Sequence, residues 1–162
     1  MVTRGFFGKK DKNDRVPPGQ YLENRFPVLS AEPTPKIALS DWKLSIIYKN
    51  EELGQINWDT LKNLPSTEIT RDIHCVTRWT KFDMKWEGVK ISTLFNELGI
   101  KAPTNWTMIG SFTGYTTNLP LEDLLMDNTI ISYLYEDEKI TPEHGGPIRL
   151  IVPHLYFWKS AK

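Results

Sequence analysis

Eleven Pro and ten Gly punctuate this chain of 162 residues, and their placement limits what it can fold into. Pro17, Pro18 and Gly19 mark the start of an ordered path, and Pro27, Pro33 and Pro35 define an extended run. Pro65 and Gly99 each end a helical pattern, and Pro142, Gly145, Gly146 and Pro147 crowd one loop. Proline carries no amide donor and blocks helix interiors, while glycine turns the chain cheaply. Only short elements fit between such breakers, and no stretch approaches the roughly 18 apolar residues of a membrane helix.

The intervening segments mostly alternate. Residues 42–48 (WKLSIIY) predict a strand, and so do 67–76 (TEITRDIHCV), a run that ends at the cysteine. Residues 57–64 predict a helix capped by Asn57 or Asp59, with Leu61 and Leu64 on one face. Residues 88–98 predict a second helix capped by Ser92, with Leu94, Phe95 and Leu98 aligned and Gly99 after its end. In the second half, 106–112, 116–119, 130–135 and 148–152 read as strands and 121–125 as a short helical turn. Strands outnumber helices, so the expected class is a sheet-dominated α+β fold. The charged run GKKDKNDR places a polar tail at 1–15, followed by one domain at 16–162.

Composition narrows the function. Lys plus Arg and Asp plus Glu are 20 each, so the net charge is zero. No basic field suits a nucleic-acid backbone or an anionic lipid surface. The chain is 40% apolar and has six Trp, enough for a core or an aromatic pocket. One Cys excludes an internal disulfide, and three scattered His offer no familiar metal spacing. Residues 1–20 lack the apolar core of a secretory leader, so the expected location is the cytoplasm.

Four segments carry candidate chemistry. Cys75 has Arg71, His74 and Arg78 close in sequence, and nearby cations favour a thiolate that ligates soft metals or attacks electrophiles. A small buried core residue is the alternative. In EHGGPIRLIVP, Arg149 interrupts an apolar strand and is costly to bury without a carboxylate or phosphate; it otherwise faces solvent on an edge strand. FWKSAK offers Ser160 and Lys162 to a phosphate, or is a surface turn. YLENRFPV sets Asn24 and Arg25 beside Phe26, as in a ligand lip or an ordinary loop. No P-loop and no strand-to-helix GxGxxG occurs.

Together, NRFPV, DIHCVTRWTKFDMKWEGV and EHGGPIRLIVPHLYFWKSAK resemble the molybdopterin-binding domain of the sulfite oxidase superfamily, in order and over nearly the whole chain. The resemblance is greatest to the small prokaryotic group that includes the methionine-sulfoxide reductase catalytic subunit. It implies a molybdenum–molybdopterin cofactor whose metal is bound by Cys75. The implied pterin contacts are Tyr21, Leu22, Glu23, Asn24, Arg25 and Ser111. His144 and Arg149 would hold the polar end of the cofactor, and Ser160, Ala161 and Lys162 its phosphate side. Closeness to Cys75 or aromatic character makes Arg78, Trp79, Trp86 and Tyr115 the expected pocket walls, with Arg78 the catalytic cation; the Trp residues, Trp86 above all, are otherwise core.

The departures matter as well. Val76, Thr77, Arg78 and Trp79 follow the cysteine in place of the Gly-Asn-Arg-Arg run of the animal and plant enzymes. Glu23 stands where sulfite oxidase has its substrate-facing arginine. Family domains continue beyond the K-S-x-K run, so a C-terminally incomplete domain is expected. The implied activity is two-electron oxygen-atom transfer on a small molecule, with reduction of a neutral S-oxide or N-oxide favoured by the acid at position 23. Sulfite-type oxidation, a cofactor-free relic that binds or supports other molecules, and a thiol redox protein using Cys75 are the alternatives. No CxxCH haem motif is present, so electrons are expected from a separate carrier.

Overall fold

A computed structural model describes residues 15–162. Of the expected tail at 1–15, only Arg15 lies within them. Its guanidinium pairs with Asp72 and Asp83 and sits over the Phe82 ring.

The elements in chain order are β1 (Tyr21–Leu22), β2 (Lys43–Tyr48), β3 (Glu51–Asn57), α1 (Trp58–Asn63), β4 (Thr67–His74), β5 (Trp79–Lys90), α2 (Ile91–Glu97), β6 (Trp106–Gly110), β7 (Thr116–Pro120), α3 (Leu121–Leu124), β8 (Ile130–Tyr135), β9 (Glu138–Lys139) and β10 (Arg149–Ile151). Single 3₁₀ turns cover Pro142–His144 and Phe157–Lys159. The fold is α+β and dominated by sheet, as its sequence pattern predicts.

The longest strand, β5, organises the main sheet. One edge pairs antiparallel with β4; the other takes β1 in parallel at Trp79–Thr80 and β8 antiparallel from Trp86 onward. The far edge of β8 then carries β10 and β9. Two hairpins, β2–β3 and β6–β7, form separate small sheets. The β5–β8 register shifts at Glu87/Gly88, and a Cβ on Gly88 would stand 2.0 Å from the Ile131 carbonyl oxygen. Only glycine permits that approach.

Strand alternation buries both faces of this sheet. Val89, Ile131, Leu150 and Val152 pack on one side with Leu61 of α1 and Leu94 of α2. Met84, Trp86, Ile130 and Ile151 pack on the other with Ile73, Cys75, Trp79 and Phe157. Arg149, two residues from Ile151, falls on this second face by alternation, and its guanidinium lies 4.1 Å from the centre of the Phe157 ring.

Several local expectations need correction. Asn57, not Asp59, caps α1: its side chain accepts from the Thr60 amide at 2.9 Å. Ser92 is not the cap of α2. β5 runs straight into that helix, Lys90 occupies the cap position without a side-chain bond, and the Ile91 amide donates to the Thr129 carbonyl. Residues 88–90 are therefore strand. The strand expected over 67–76 ends at His74, leaving Cys75 in a turn, and 106–112 is strand only to Gly110. Arg149 does not face solvent on an edge strand: β10 is covered, and the residue is 5% exposed.

Candidate functional site

Cys75 begins the turn between β4 and β5. Its amide donates to the Trp79 carbonyl at 2.9 Å, and its carbonyl accepts from the Arg78 amide at 2.9 Å. The turn closes because Arg78 takes a left-handed φ of 75°. The Gln20 side-chain amide, arriving just ahead of β1, donates to the same Cys75 carbonyl at 3.2 Å. Gln20 Oε1 accepts from Thr80 Oγ1 at 2.7 Å, which uses the single hydroxyl hydrogen of that residue. His74 Nδ1, 2.9 Å from Thr80 Oγ1, therefore donates, and this defines its tautomer. Burial pushes the His74 imidazolium pKa down, against a smaller upward pull from Asp72. The Cys75 sulfur accepts from Thr77 Oγ1 at 3.2 Å.

Cys75 opens onto a cleft of about 820 Å³. A group of basic side chains lines another part of its wall. The Arg149 guanidinium donates to the carbonyls of His144 (2.7 Å) and Ser160 (2.8 Å), while its buried Nε has no partner. Burial pushes its pKa down to about 9, with Cys75 pulling slightly the other way. Lys162 Nζ donates to Ser30 Oγ at 2.9 Å and to the Glu143 carbonyl at 2.6 Å. Burial and then Arg149 lower its pKa, against Glu143. His144 stacks on Phe26 at 3.8 Å; burial, then Arg149 and Lys162, push its imidazolium down. Among the described residues, no carboxylate forms a salt bridge with Arg149 or Lys162.

Backbone shape completes this end. Gly145 has φ 100°, and a Cβ there would lie 2.3 Å from that of Lys162. The chain end runs beside β10: the Ala161 carbonyl accepts from Leu150 N at 2.9 Å, and Ser160 Oγ accepts from Val152 N at 2.9 Å. The Ser160 hydroxyl oxygen thus already holds the sheet.

Of the residues singled out from sequence, Cys75, Ser111, His144, Arg149, Ser160, Ala161 and Lys162 line this cleft, together with Trp79 and Tyr115. Tyr21, Leu22, Glu23, Asn24 and Arg25 do not. Tyr21 and Leu22 are spent on β1 pairing, the Glu23 carboxylate accepts from the Arg25 amide at 2.8 Å, and the Asn24 carbonyl accepts from Lys81. Arg78 is exposed beside the turn and outside the walls, and Trp86 is fully buried core. Gln20, Thr77, Phe26 and Ser30 reach the site without having been singled out for it. Phe26 and Thr77 carried a sequence signal, their places in NRFPV and DIHCVTRWTKFDMKWEGV. Gln20 and Ser30 meet Cys75 and Lys162 across 55 and 132 residues, separations that no local pattern reveals.

The chemistry of these donors suits a bulky anionic ligand that carries a soft metal. Among the described residues, no three His, Cys, Asp or Glu converge on a cation, so Cys75 would serve a metal arriving with ligands of its own. The partnerless buried Arg149 Nε and the glycine cradle fit an anionic group.

The family model for the oxidoreductase molybdopterin binding domain matches residues 31–162, and the chain belongs to that family, within the sulfite oxidase superfamily. It is an oxidoreductase. It is 37% identical over 161 residues to the uncharacterized oxidoreductase YuiH of Bacillus subtilis, covering 97% of this chain and 81% of that one. It is 23% identical over 145 residues to the protein-methionine-sulfoxide reductase catalytic subunit MsrP of Xanthomonas campestris, covering 78% of this chain and 44% of the relative. The sulfane dehydrogenase SoxCD of Paracoccus pantotrophus shares the fold, with a TM-score of 0.66 at 21% identity over 80% of this chain and 38% of that one. The chain thus spans less than half of the last two.

Proposed function

We propose that the chain holds a molybdenum–molybdopterin cofactor in this cleft and catalyses two-electron oxygen-atom transfer. The observation that carries the reading is a buried guanidinium that, among the described residues, has no acid partner and lies in the same cleft as the single cysteine. Cys75 would ligate the metal. Arg149, Lys162 and the Gly145 backbone would hold the phosphate end, with Ser160 and Ala161 positioning Lys162. When bound, the cofactor supplies a metal that exchanges two electrons and one oxygen atom with substrate. The protein anchors both ends of the group, and the Phe26, Trp79 and Phe157 rings shield its bed from water.

The same reading favours a neutral S-oxide or N-oxide as substrate, reduced with electrons from a separate carrier. Glu23 is bonded to its own turn and Arg78 stands outside the walls, so neither sets the charge of the cleft. What supports a neutral substrate is the set of uncharged side chains that Val76 and Thr77, next to Cys75 in the chain, and Phe112 and Trp158 contribute to the cleft. An anion entering there leaves water without an ion pair in return. The name of MsrP agrees with sulfoxide reduction; that of SoxCD points to an oxidation.

Elemental analysis of protein made in a cofactor-synthesising host tests the first half, with one molybdenum per chain expected. None would overturn it. Steady-state assays with sulfoxides, N-oxides, sulfite and nitrate test the second half. Sulfite turnover above that of sulfoxides would overturn the preference for a neutral substrate.

A further inference from the structure

Beyond holding the cofactor, the turn that carries Cys75 controls the chemistry of its sulfur. We propose that Thr77 is a positioning residue whose hydroxyl sets how strongly the Cys75 sulfur donates to the bound metal, and so the reduction potential of the site. This rests on the assignment of Cys75 as the metal ligand.

Three features of the turn support it. The Arg78 amide closes back on the Cys75 carbonyl at 2.9 Å, and the left-handed φ of 75° at Arg78 tightens the loop, folding residue 77 over residue 75. Thr77 Oγ1 reaches Sγ at 3.2 Å, and among the described residues no other donor bonds to that sulfur. The β-branched side chain of Thr is stiff at χ1, so the hydroxyl is held there at little entropic cost. The neighbouring Val76 side chain has no hydrogen-bond donor.

A hydrogen bond to a metal-bound sulfur draws charge from the lone pairs that feed the metal. Less donation destabilises the oxidised metal relative to the reduced one and raises the potential. Removing the bond should therefore lower the potential without disturbing either anchor of the cofactor. Outer partners of this kind typically change activity on the order of tenfold.

The test compares wild type, Thr77→Val and Thr77→Ser, each produced with the cofactor. Thr77→Val keeps the shape of the side chain and loses the hydroxyl; Thr77→Ser keeps the hydroxyl. Molybdenum per chain, the midpoint potential by mediated titration, and the sulfur-to-metal absorption band are measured. The expected result is a lower midpoint and a shifted band in Thr77→Val at unchanged molybdenum content, with Thr77→Ser close to wild type. Loss of molybdenum from the valine variant but not from the serine variant overturns the tuning role, because the hydroxyl would then be holding the metal. A valine variant identical to a molybdenum-loaded wild type overturns the inference alone, as does a serine variant that behaves like valine or loss of metal from both. Wild type without molybdenum overturns the assignment of Cys75, and this inference with it.

Discussion

At the Cys75 end of the cleft the amide, carbonyl and sulfur of the key residue are all bonded within the chain, and the surrounding network of Gln20, Thr80 and His74 is neutral. At the Arg149 end, three basic side chains crowd together and a buried Nε has no acceptor. The first end is complete before any ligand arrives. The second pays a desolvation cost that a dianionic group would offset. A binding cleft built this way separates two tasks: one end orients the metal ligand, and the other draws much of its binding strength from charge.

The largest expected effect tests the first end. Cys75→Ser should abolish molybdenum retention while the thermal midpoint, compared between cofactor-free proteins, hardly moves, because the turn is closed by backbone and Gln20 contacts that do not involve the sulfur. Metal content and a melting curve check both halves. Retention of metal would remove Cys75 as the ligand.

Arg149→Met tests the second end and carries opposite signs for two measurements. Cofactor-free protein should gain stability, because a buried charge with no acid partner among the described residues is removed, while retention of the cofactor collapses. Denaturant unfolding of cofactor-free protein decides it. A destabilised variant would show that the two carbonyl bonds of the guanidinium outweigh its desolvation.

Gly145→Ala should destabilise the fold by more than ~1 kcal/mol, because the position has positive φ and the added methyl collides with Lys162. It should also weaken cofactor retention by displacing that lysine, visible in the same unfolding and metal assays.

The smallest effect is one of pH. His74 and His144 both have imidazolium pKa values lowered from 6.5, chiefly by burial. The unfolded chain therefore binds more protons just below that pH, so their contribution to stability is present above 6.5 and is lost as the pH falls through it. Melting temperatures between pH 7.5 and 5.5 (roughly a unit either side of an ordinary His pKa) should fall. His144→Phe, which keeps a ring stacked on Phe26, should flatten part of that slope. A parallel slope would remove His144 from the account.

Much of the architecture was legible in order along the chain. The alternation of 43–48, the Asn57 cap, the buried run at 130–135 and Gly99 closing α2 are local signals, read by rules that need only a few neighbours. β5 was not legible. Its residues 79–90 mix Lys, Asp and Glu among aromatics, and its length comes from pairing with three strands, of which β1 and β8 are far away in sequence. β3 escaped notice for a similar reason: Glu51 to Gly54 look like a loop until they pair with β2. Ser92 looked like a cap because nothing local says that a strand runs straight into a helix.

In the site, residue type alone singled out Cys75 and Arg149: one thiol in the chain, and one arginine inside an apolar strand. Those choices follow from composition and from the cost of burying charge. Their arrival in one cleft depended on sheet order, because β4 and β10 come together only through β5 and β8. Tertiary structure also left Tyr21–Arg25 and Arg78 outside the lining of this cleft. It brought in Gln20 and Ser30, whose contacts span distances along the chain that only folding can close. The amino-acid sequence determined which groups were available and which could not be buried alone; the fold decided which of them face one another, because hydrogen bonds and charge act over a few ångströms and sequence separation says nothing about those.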